Sequence, residues 1–294
     1  MNSSTATTVF LPIALGVIML GLGLSLTVAD FTRVLRYPRA AFIALSCQIF
    51  VLPAVCLGLV LLFDLEPTLA VGMMLLAASP GGTTANLFSH LARGDVALNI
   101  TLTAINSVLA VITLPIVVNL ALKGFMEGED AIGLQPDKLL QVFAIVLIPV
   151  AIGMLVRRRA PEFADRLYRP VKIASIVVLA SVIAVAVFQE RSNVGGYIQS
   201  VGLLALLFCV VSLTIGYYVP RLLRVPRPQA VASSFEIGVH NSTLAITIAL
   251  SPALLDSSEM AIPAAVYGIA MFLPAGVLAY ALSRRQEDKV EIRT

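Results

Sequence analysis

The stretch FEIGVHNSTLAIT, residues 235 to 247, places groups that could do chemistry inside an otherwise apolar segment. A carboxylate (Glu236), an imidazole (His240), an amide (Asn241) and two hydroxyls (Ser242 and Thr243) follow within eight residues. An ionised carboxylate in an apolar interior is costly unless another charge or several hydrogen bonds compensate it. The question for this chain is what neutralises Glu236.

The composition defines the surroundings of that acid. The chain has 294 residues, of which 59% are hydrophobic and 13% charged, and its mean hydropathy is +0.95. A water-facing domain of this size needs more charge, and several apolar runs reach the roughly 20 residues that a membrane helix requires. We therefore predict an all-α polytopic membrane protein, and the small net charge of +3 does not indicate nucleic-acid binding.

Charged and Pro/Gly-rich segments divide the chain into nine predicted spans. They cover about 10–29, 41–63, 69–90, 96–122, 139–156, 171–188, 197–219, 229–250 and 260–282. The joining segments on one side hold 17 of the 20 basic residues. The positive-inside rule then places the N-terminus outside and the C-terminal tail, 283–294, in the cytoplasm of a cell (inner or plasma) membrane.

Two of the predicted spans are interrupted. In span 3, Pro80 removes a backbone donor and Gly81-Gly82 weaken the helix before TTAN offers a new start. Span 8 has Gly238 between Glu236 and Asn241. Spans 1 to 4 and spans 6 to 9 run in opposite directions, and each break falls in the third helix of its set. Paired interruptions in inverted repeats indicate the central binding site of a transporter.

Glu236 is the only carboxylate inside a predicted span, and no Lys or Arg lies mid-span to pair with it. His240, four residues on, would reach it on a continuous helix. Other polar side chains could instead hold a cation beside the acid, because hard cations such as Na⁺ prefer oxygen ligands. They are Asn99, Thr103 and Asn106 or Ser107 on one face of span 4, Asn86 in span 3, and Gln48 in span 2. Such residues also bond between membrane helices, but with the acid and both breaks we favour an ion site.

Two motifs in these segments resemble a known family. The run PGGTTANLFSHLARGDVALNITLT, residues 80 to 103, is similar to the PGGT-x-SN…LARG-D/N-x-ALS motif of the bile acid:sodium symporter family. FEIGVHNS resembles that family's E-x-G-x-QN-S motif, and the resemblance extends from about residue 10 to the end. Bacterial members often have ten helices, so nine spans correspond to a chain that begins at the family's second helix.

The resemblance implies an inverted-repeat transporter in which a core domain with two crossing broken helices moves against a panel domain. The core would comprise about 41–122 and 197–282, and the panel about 10–29 and 139–188. It also implies two sodium sites. The first would use Ala85, Asn86, Asn99, Thr103 and Glu236; the second would use Gln48, Glu236, Ile237, Val239 and His240.

Three positions depart from the family pattern. Ala85 replaces a Ser, so that it offers only a backbone oxygen, and Asn99 replaces another Ser with an amide that can still ligate. His240 replaces a Gln. A neutral imidazole is a poorer Na⁺ ligand than an amide oxygen, and a protonated one repels the ion. The second site is therefore open to three readings: a weak sodium site, a pH-sensitive one, or a proton in place of sodium.

The function expected from this pattern is sodium-coupled symport of an organic anion, with one or two coupling ions. Half-helix N-termini favour anions, so Thr83, Thr84, Asn241 and Ser242 are the candidate substrate-binding residues. The resemblance implies a bile-acid-like substrate or a small carboxylate such as pantoate or a keto acid. The protein's partners would then be that anion and the lipid bilayer.

Three other functions would make different demands on these residues. A proton-coupled anion carrier would use Glu236 with His240. An arsenite-type permease would need a thiol at the crossing, whereas Cys47, Cys56 and Cys209 lie outside the broken segments. An intramembrane enzyme would have to use His240 and Ser242, which lack any GxSxG-like context. We therefore predict that the protein is not an enzyme.

Overall fold

The computed structural model describes residues 16–17, 19–126, 136–171, 173–174, 177, 194–251 and 254–291. All regular elements in these ranges are helices. We number them α1 (19–25), α2 (Val28–Thr32), α3 (Pro38–Leu62), α4 (Pro67–Ala78), α5 (Thr83–Leu91), α6 (Val96–Phe125), α7 (Pro136–Arg159), α8 (161–171), α9 (Val194–Leu222), α10 (Arg227–Gly238), α11 (Ser242–Leu250), α12 (Ser258–Ala270) and α13 (Phe272–Glu291).

Within the described part of the chain, four helices are long and apolar enough to cross a membrane. They are α3 (Pro38–Leu62), α6 (Val96–Phe125), the part of α9 from Gln199 to Leu222, and Ser258–Arg284, which joins α12 to most of α13. These helices correspond to predicted spans 2, 4, 7 and 9. Many of their large apolar side chains point outward, including Phe42, Leu61 and Leu120, as expected where lipid covers the surface. The chain is therefore a multi-pass membrane protein. Spans 1 and 6 lie partly outside the described residues, span 5 corresponds to α7, and nine spans remain a prediction.

Two pairs of short helices, α4 with α5 and α10 with α11, are separated by non-helical segments. Helix α4 ends at Ala78 and α5 begins at Thr83; α10 ends at Gly238 and α11 begins at Ser242. Pro80 explains the first interruption because it supplies no backbone donor. α4 packs against α6 and α12, whereas α10 packs against α6 and α9.

The two non-helical segments pair with each other through an antiparallel bridge between Gly81 and His240. The Gly82 N–H donates to the Val239 carbonyl at 2.7 Å, and the Asn241 N–H donates to the Pro80 carbonyl at 2.8 Å. Backbone polar groups inside a membrane protein must be satisfied by other protein groups or water. Each interrupted segment thus supplies hydrogen bonds that the other has lost.

Asp95 links the ends of the helices that carry the site. Its carboxylate caps α6 by accepting from the Leu98 N–H at 3.0 Å, and its own N–H donates to the Pro228 carbonyl at the start of α10. The negative charge of Asp95 also raises the pKa of the neighbouring Tyr37. These contacts set the position of α6 relative to α10.

Close glycine contacts bring α1 against α7. A Cβ atom on Gly153 would lie 2.6 Å from the Leu20 carbonyl oxygen and 2.7 Å from the Gly23 carbonyl carbon. Small residues at such positions allow membrane helices to approach closely, and van der Waals packing then stabilises the pair.

We predict that Gly153→Ala destabilises the folded protein. The new methyl group meets backbone atoms, which cannot rotate away, and overpacking of this kind costs about 1–3 kcal/mol. The melting temperature of the purified protein in detergent should fall. Gly58→Ala is the matched control, because nothing lies within 4 Å of its Cβ position and Ala favours a helix interior over Gly. An equal fall in both variants would contradict this account.

Candidate functional site

The Glu236 carboxylate lies in the last turn of α10, fully buried. It accepts three hydrogen bonds from one face of α6: from Asn99 Nδ2 at 3.0 Å, Thr103 Oγ1 at 2.5 Å and Asn106 Nδ2 at 2.9 Å. These three residues are spaced at i, i+4 and i+7, so a single helical face presents them together. The acid is thus compensated by uncharged donors.

None of these donors carries a charge, and no hydrogen bond or ion pair joins Glu236 to a basic side chain among the described residues. His240 does not fill this role. Because α10 ends at Gly238, His240 lies beyond the helix, and the spacing that would have placed it over Glu236 does not apply. When ionised, the carboxylate therefore keeps a full negative charge inside the protein.

The Thr103 hydroxyl lies within hydrogen-bonding distance of two oxygens, Glu236 Oε2 at 2.5 Å and the Asn99 carbonyl at 3.0 Å. A hydroxyl has one proton to donate. If Thr103 donates to Glu236, the acid can be ionised. If it donates to Asn99, the short contact with Glu236 requires a proton on the carboxyl group. The arrangement accommodates either form of the acid.

Gly81 closes the other side of the carboxylate. A Cβ atom at this position would lie less than 3.0 Å from the carboxylate carbon and from both carboxylate oxygens. Only a glycine leaves room for the acid here. The PGG sequence thus breaks the helix and also lets the broken segment pass directly against Glu236.

His240 occupies a second polar pocket at the bridge and is only 1% exposed. Its Nδ1 lies 3.2 Å from the Ser79 carbonyl, so this nitrogen carries a proton and donates. Phe208 stacks on the ring and Tyr267 packs against its edge, each with a centroid distance of 5.4 Å. Nε2 is buried and has no hydrogen-bonding partner among the described residues. In the neutral ring it is an acceptor.

Gln48 approaches the same carbonyl from α3. Its Nε2 donates to Ser79 O at 2.9 Å and to Ala77 O at 3.3 Å, and its Oε1 is buried without a partner in the described chain. Ser79 O therefore accepts from both Gln48 and His240, which uses both of its lone pairs. The Gly238 carbonyl is covered in a similar way by the Tyr267 hydroxyl at 2.9 Å and the Cys209 thiol at 3.5 Å.

The other predicted sodium ligands lie on α5, on α6 and at the end of α10. Ala85 is fully buried, and Asn86 is half-buried with an enclosed Oδ1 that finds no partner within the described ranges. Asn99 Oδ1 is also enclosed and unpaired there. Ile237 and Val239 are fully buried, and the Val239 carbonyl accepts from Gly82.

The predicted substrate residues differ in their exposure and in how many of their polar groups are already hydrogen-bonded. The side chain of Thr83 is outside the described residues, and Thr84 is half-buried at the start of α5. The Asn241 side chain caps α11 by accepting from the Leu244 N–H at 3.0 Å. The backbone N–H of Asn241 donates to the Pro80 carbonyl. Ser242 is 8% exposed and lies against Gly268, with an unpaired hydroxyl in the described structure.

The sequence places Asn106 on the same face of α6 as Asn99 and Thr103, but neither predicted sodium site includes it. Residues 106 and 107 both share a helical face with Asn99, and the spacing does not choose between them. In the folded protein Asn106 reaches Glu236, whereas the Ser107 hydroxyl donates back to the Thr103 carbonyl at 2.7 Å. Ser79, Phe208 and Tyr267 were missed entirely, because ordinary apolar or helix-forming runs surround them.

In a helical, multi-pass membrane protein, a buried acid where two interrupted helices meet is typical of a transporter. The family model of the Sodium Bile acid symporter family matches residues 12–197, and the chain belongs to this family.

Several curated proteins are similar over most of the chain. The uncharacterized sodium-dependent transporter YocS of Bacillus subtilis (strain 168) is 28% identical over 95% of this chain and 85% of its own length. The chloroplastic probable sodium/metabolite cotransporter BASS1 of Arabidopsis thaliana is 28% identical over 95% of this chain and 68% of its own length. The ileal sodium/bile acid cotransporter of Homo sapiens is 24% identical over 81% of this chain and 68% of its own length. These relatives indicate a sodium-dependent transporter.

We predict that Gly81→Ala abolishes stabilisation of the protein by sodium. The added methyl group displaces the Glu236 carboxylate, while a ligand that binds the folded state raises its melting temperature. The measurement compares melting temperatures in NaCl and KCl. Gly82→Ala is the matched control, because the atom nearest its Cβ would be the His240 carbonyl oxygen, at 3.1 Å, and not the Glu236 carboxylate. A sodium response that survives in Gly81→Ala would contradict the assigned role of this glycine.

Proposed function

We propose that the protein carries a small organic anion across a cell membrane together with sodium. The observation that carries this proposal is the Glu236 carboxylate, which is fully buried, accepts only neutral hydrogen bonds and has no basic partner in the described chain. A bound cation supplies the missing positive charge. Membership of the Sodium Bile acid symporter family supports sodium as that cation.

The first sodium site would lie between α5, α6 and the end of α10. Asn86 Oδ1 and Asn99 Oδ1 are enclosed oxygens without partners among the described residues, and enclosed polar oxygens require a partner. With Glu236, Thr103 and the Ala85 carbonyl they form a set of one carboxylate and several neutral oxygens. Such a set suits a monovalent hard cation.

The residues of the second predicted site are less suited to binding sodium. Its residues are Gln48, Glu236, Ile237, Val239 and His240, but the Ser79 carbonyl between Gln48 and His240 already accepts from both. Gln48 Oε1 and His240 Nε2 are the unpaired acceptors there. We propose that one sodium ion at the first site is the main coupling ion.

The substrate would bind on the side of the crossing where α5 and α11 begin. Helix N-termini attract anions, and Thr83, Thr84, Asn241 and Ser242 lie at these two starts. Because Asn241 uses its backbone N–H and its Oδ1 internally, it would contribute its side-chain NH₂ group. A carboxylate such as that of pantoate, a keto acid or a bile acid fits these donors.

Transport would follow alternating access. In this proposal nine spans form a core, about 41–122 and 197–282, and a panel, about 10–29 and 139–188, with the N-terminus outside and the C-terminus in the cytoplasm. Sodium binding at Glu236 ties α10 to α6. The core then moves relative to the panel and exposes the crossing to each side in turn.

A proton-coupled carrier is the second candidate, and the Thr103 geometry is compatible with it. The short contact between Thr103 Oγ1 and Glu236 Oε2, combined with the Asn99 carbonyl as a second acceptor, accommodates a protonated acid. A proton would then neutralise Glu236 in place of sodium.

The test is uptake of a library of organic anions into proteoliposomes. Gradients of Na⁺, Li⁺, K⁺ or pH are imposed one at a time. Sodium-driven accumulation of a carboxylate is the expected result, whereas uptake that follows only the pH gradient would show proton coupling and overturn the sodium proposal.

We predict that Glu236→Gln removes the sodium dependence of uptake, because the amide keeps the size of the side chain but not its charge. Initial rates measured in NaCl and KCl should become equal. Glu66→Gln is the control, since Glu66 is an exposed acid at the start of α4 and should retain the wild-type sodium response. Sodium dependence in the Glu236 variant would exclude this residue as the ion ligand.

We also predict that His240→Gln steepens the dependence of uptake on sodium concentration. An amide oxygen is a better sodium ligand than an imidazole nitrogen, so the substitution completes a second site. The Hill coefficient should rise from about 1 toward 2, the limit being the number of sites. His90→Gln serves as the control, because His90 is the other histidine of the chain and is exposed. A wild-type coefficient near 2 would refute the single-ion arrangement.

A further inference from the structure

Helix α8 has an exposed face that combines arginine with apolar side chains. Phe163, Arg166 and Pro170 follow one another at i, i+3 and i+7 and are all exposed, so they lie on one side of the helix. Ile173 and Val177 are also helical, continue the same spacing, and are 60% and 58% exposed. The face therefore changes from charged to apolar along its length.

The opposite face of α8 is anchored to the rest of the protein. Ala164 and Val171 are buried and pack in one cluster with Leu24 of α1. Arg157, near the end of α7, donates from Nε to the Leu24 carbonyl at 2.6 Å and from Nη1 to Asp165 Oδ1 at 2.5 Å. These contacts fix the rotation of α8, and the face with the arginine and the apolar side chains is held outward.

An open groove of about 600 Å³ runs along the outward face. Arg169 and Pro170 line one end, and Ile173, Ala174 and Val177 line the remainder. The length from Arg169 to Val177 is about 12 Å at 1.5 Å per residue, whereas one leaflet of the hydrocarbon core is about 15 Å thick. The groove is therefore long enough for most of one acyl chain, with a guanidinium group at one end.

The charge around this end of the groove is positive. Residues 157–172 contain six basic and two acidic side chains, and one of the acids, Asp165, is paired with Arg157. Arg166 and Arg169 are exposed and form no ion pair with the other described residues. Predicted span 6 begins at residue 171, so both arginines lie at the depth of lipid headgroups. Guanidinium groups match phosphate in geometry and charge.

We propose that α8 binds one anionic phospholipid, with its phosphate at Arg166 and Arg169 and one acyl chain in the groove over Ile173 and Val177. The positive charge selects a headgroup with a net negative charge over a zwitterionic one, and the apolar groove selects a lipid over free phosphate. In the proposed orientation the site faces the cytoplasmic leaflet, where anionic lipids attract basic segments. The site does not depend on which ion drives transport.

Native mass spectrometry of the purified full chain tests this site. The protein in neutral detergent is titrated with phosphatidylglycerol, with phosphatidylcholine of the same acyl chains, or with inorganic phosphate. One phosphatidylglycerol should bind per chain, more tightly than phosphatidylcholine, and should raise the melting temperature. Equal binding of the two lipids would overturn the proposal, and so would equal stabilisation by inorganic phosphate.

Arg169→Gln tests the headgroup contact. Its affinity for phosphatidylglycerol should fall about five-fold, which is the contribution expected from one basic residue near an anionic lipid. Arg159→Gln is the matched control, because Arg159 is exposed at the end of α7, outside the groove lining, and loses the same charge. An equal fall in both variants would indicate diffuse attraction to a basic surface and would contradict a defined site.

Ala174→Phe tests the acyl-chain contact without changing any charge. The phenyl group fills part of the groove, so the affinity for phosphatidylglycerol should fall while both arginines remain. Ala54→Phe is the control, since Ala54 is an exposed alanine on α3 and should bind the lipid as the wild type does. Unchanged binding in Ala174→Phe would refute the groove as the lipid site. Lipid-free dimers that Ala174→Phe disrupts would instead assign the groove to a second copy of the chain, and would also overturn the proposal.

Discussion

The fold of this protein depends on keeping one carboxylate inside an apolar bundle. Glu236 receives hydrogen bonds from Asn99, Thr103 and Asn106, which all lie on one face of α6. Neutral donors lower the cost of burying the acid but leave its charge in place. Because an uncompensated charge in a low-dielectric interior is costly, the site is electrostatically complete only with a cation or a proton. This is the physical basis for proposing that a coupling ion binds at Glu236.

The interrupted helices are the second part of the same arrangement. A continuous helix would satisfy its own backbone and leave nothing for a ligand, whereas a break exposes polar groups at the depth where a site is needed. The Gly81–His240 bridge satisfies some of these groups, and Tyr267 and Cys209 cover the Gly238 carbonyl. Asn99, whose Oδ1 remains unpaired in the described structure, is held against the acid by its own amide NH₂ group.

Helix positions followed closely from the sequence where apolar runs are long. Predicted span 4, 96–122, corresponds to Val96–Phe125, and predicted span 2, 41–63, corresponds to Pro38–Leu62. The last helix continues to Glu291, past the predicted end at 282, because the charged run RRQEDKVE consists largely of good helix formers. Hydropathy marks where a helix leaves the membrane, and does not mark where the helix itself ends.

By itself the sequence determined the class of protein, the break at Pro80, the lone acid and the polar face of α6, because hydropathy, proline chemistry and helical periodicity are local properties. Only the tertiary structure decided which polar groups meet. It selected Asn106 over Ser107 as the partner of Glu236, placed Gly81 against the carboxylate, and directed His240 toward Ser79 and away from the acid. These choices depend on how α4, α6 and α10 pack across more than 100 residues of chain, a distance over which no local pattern carries information.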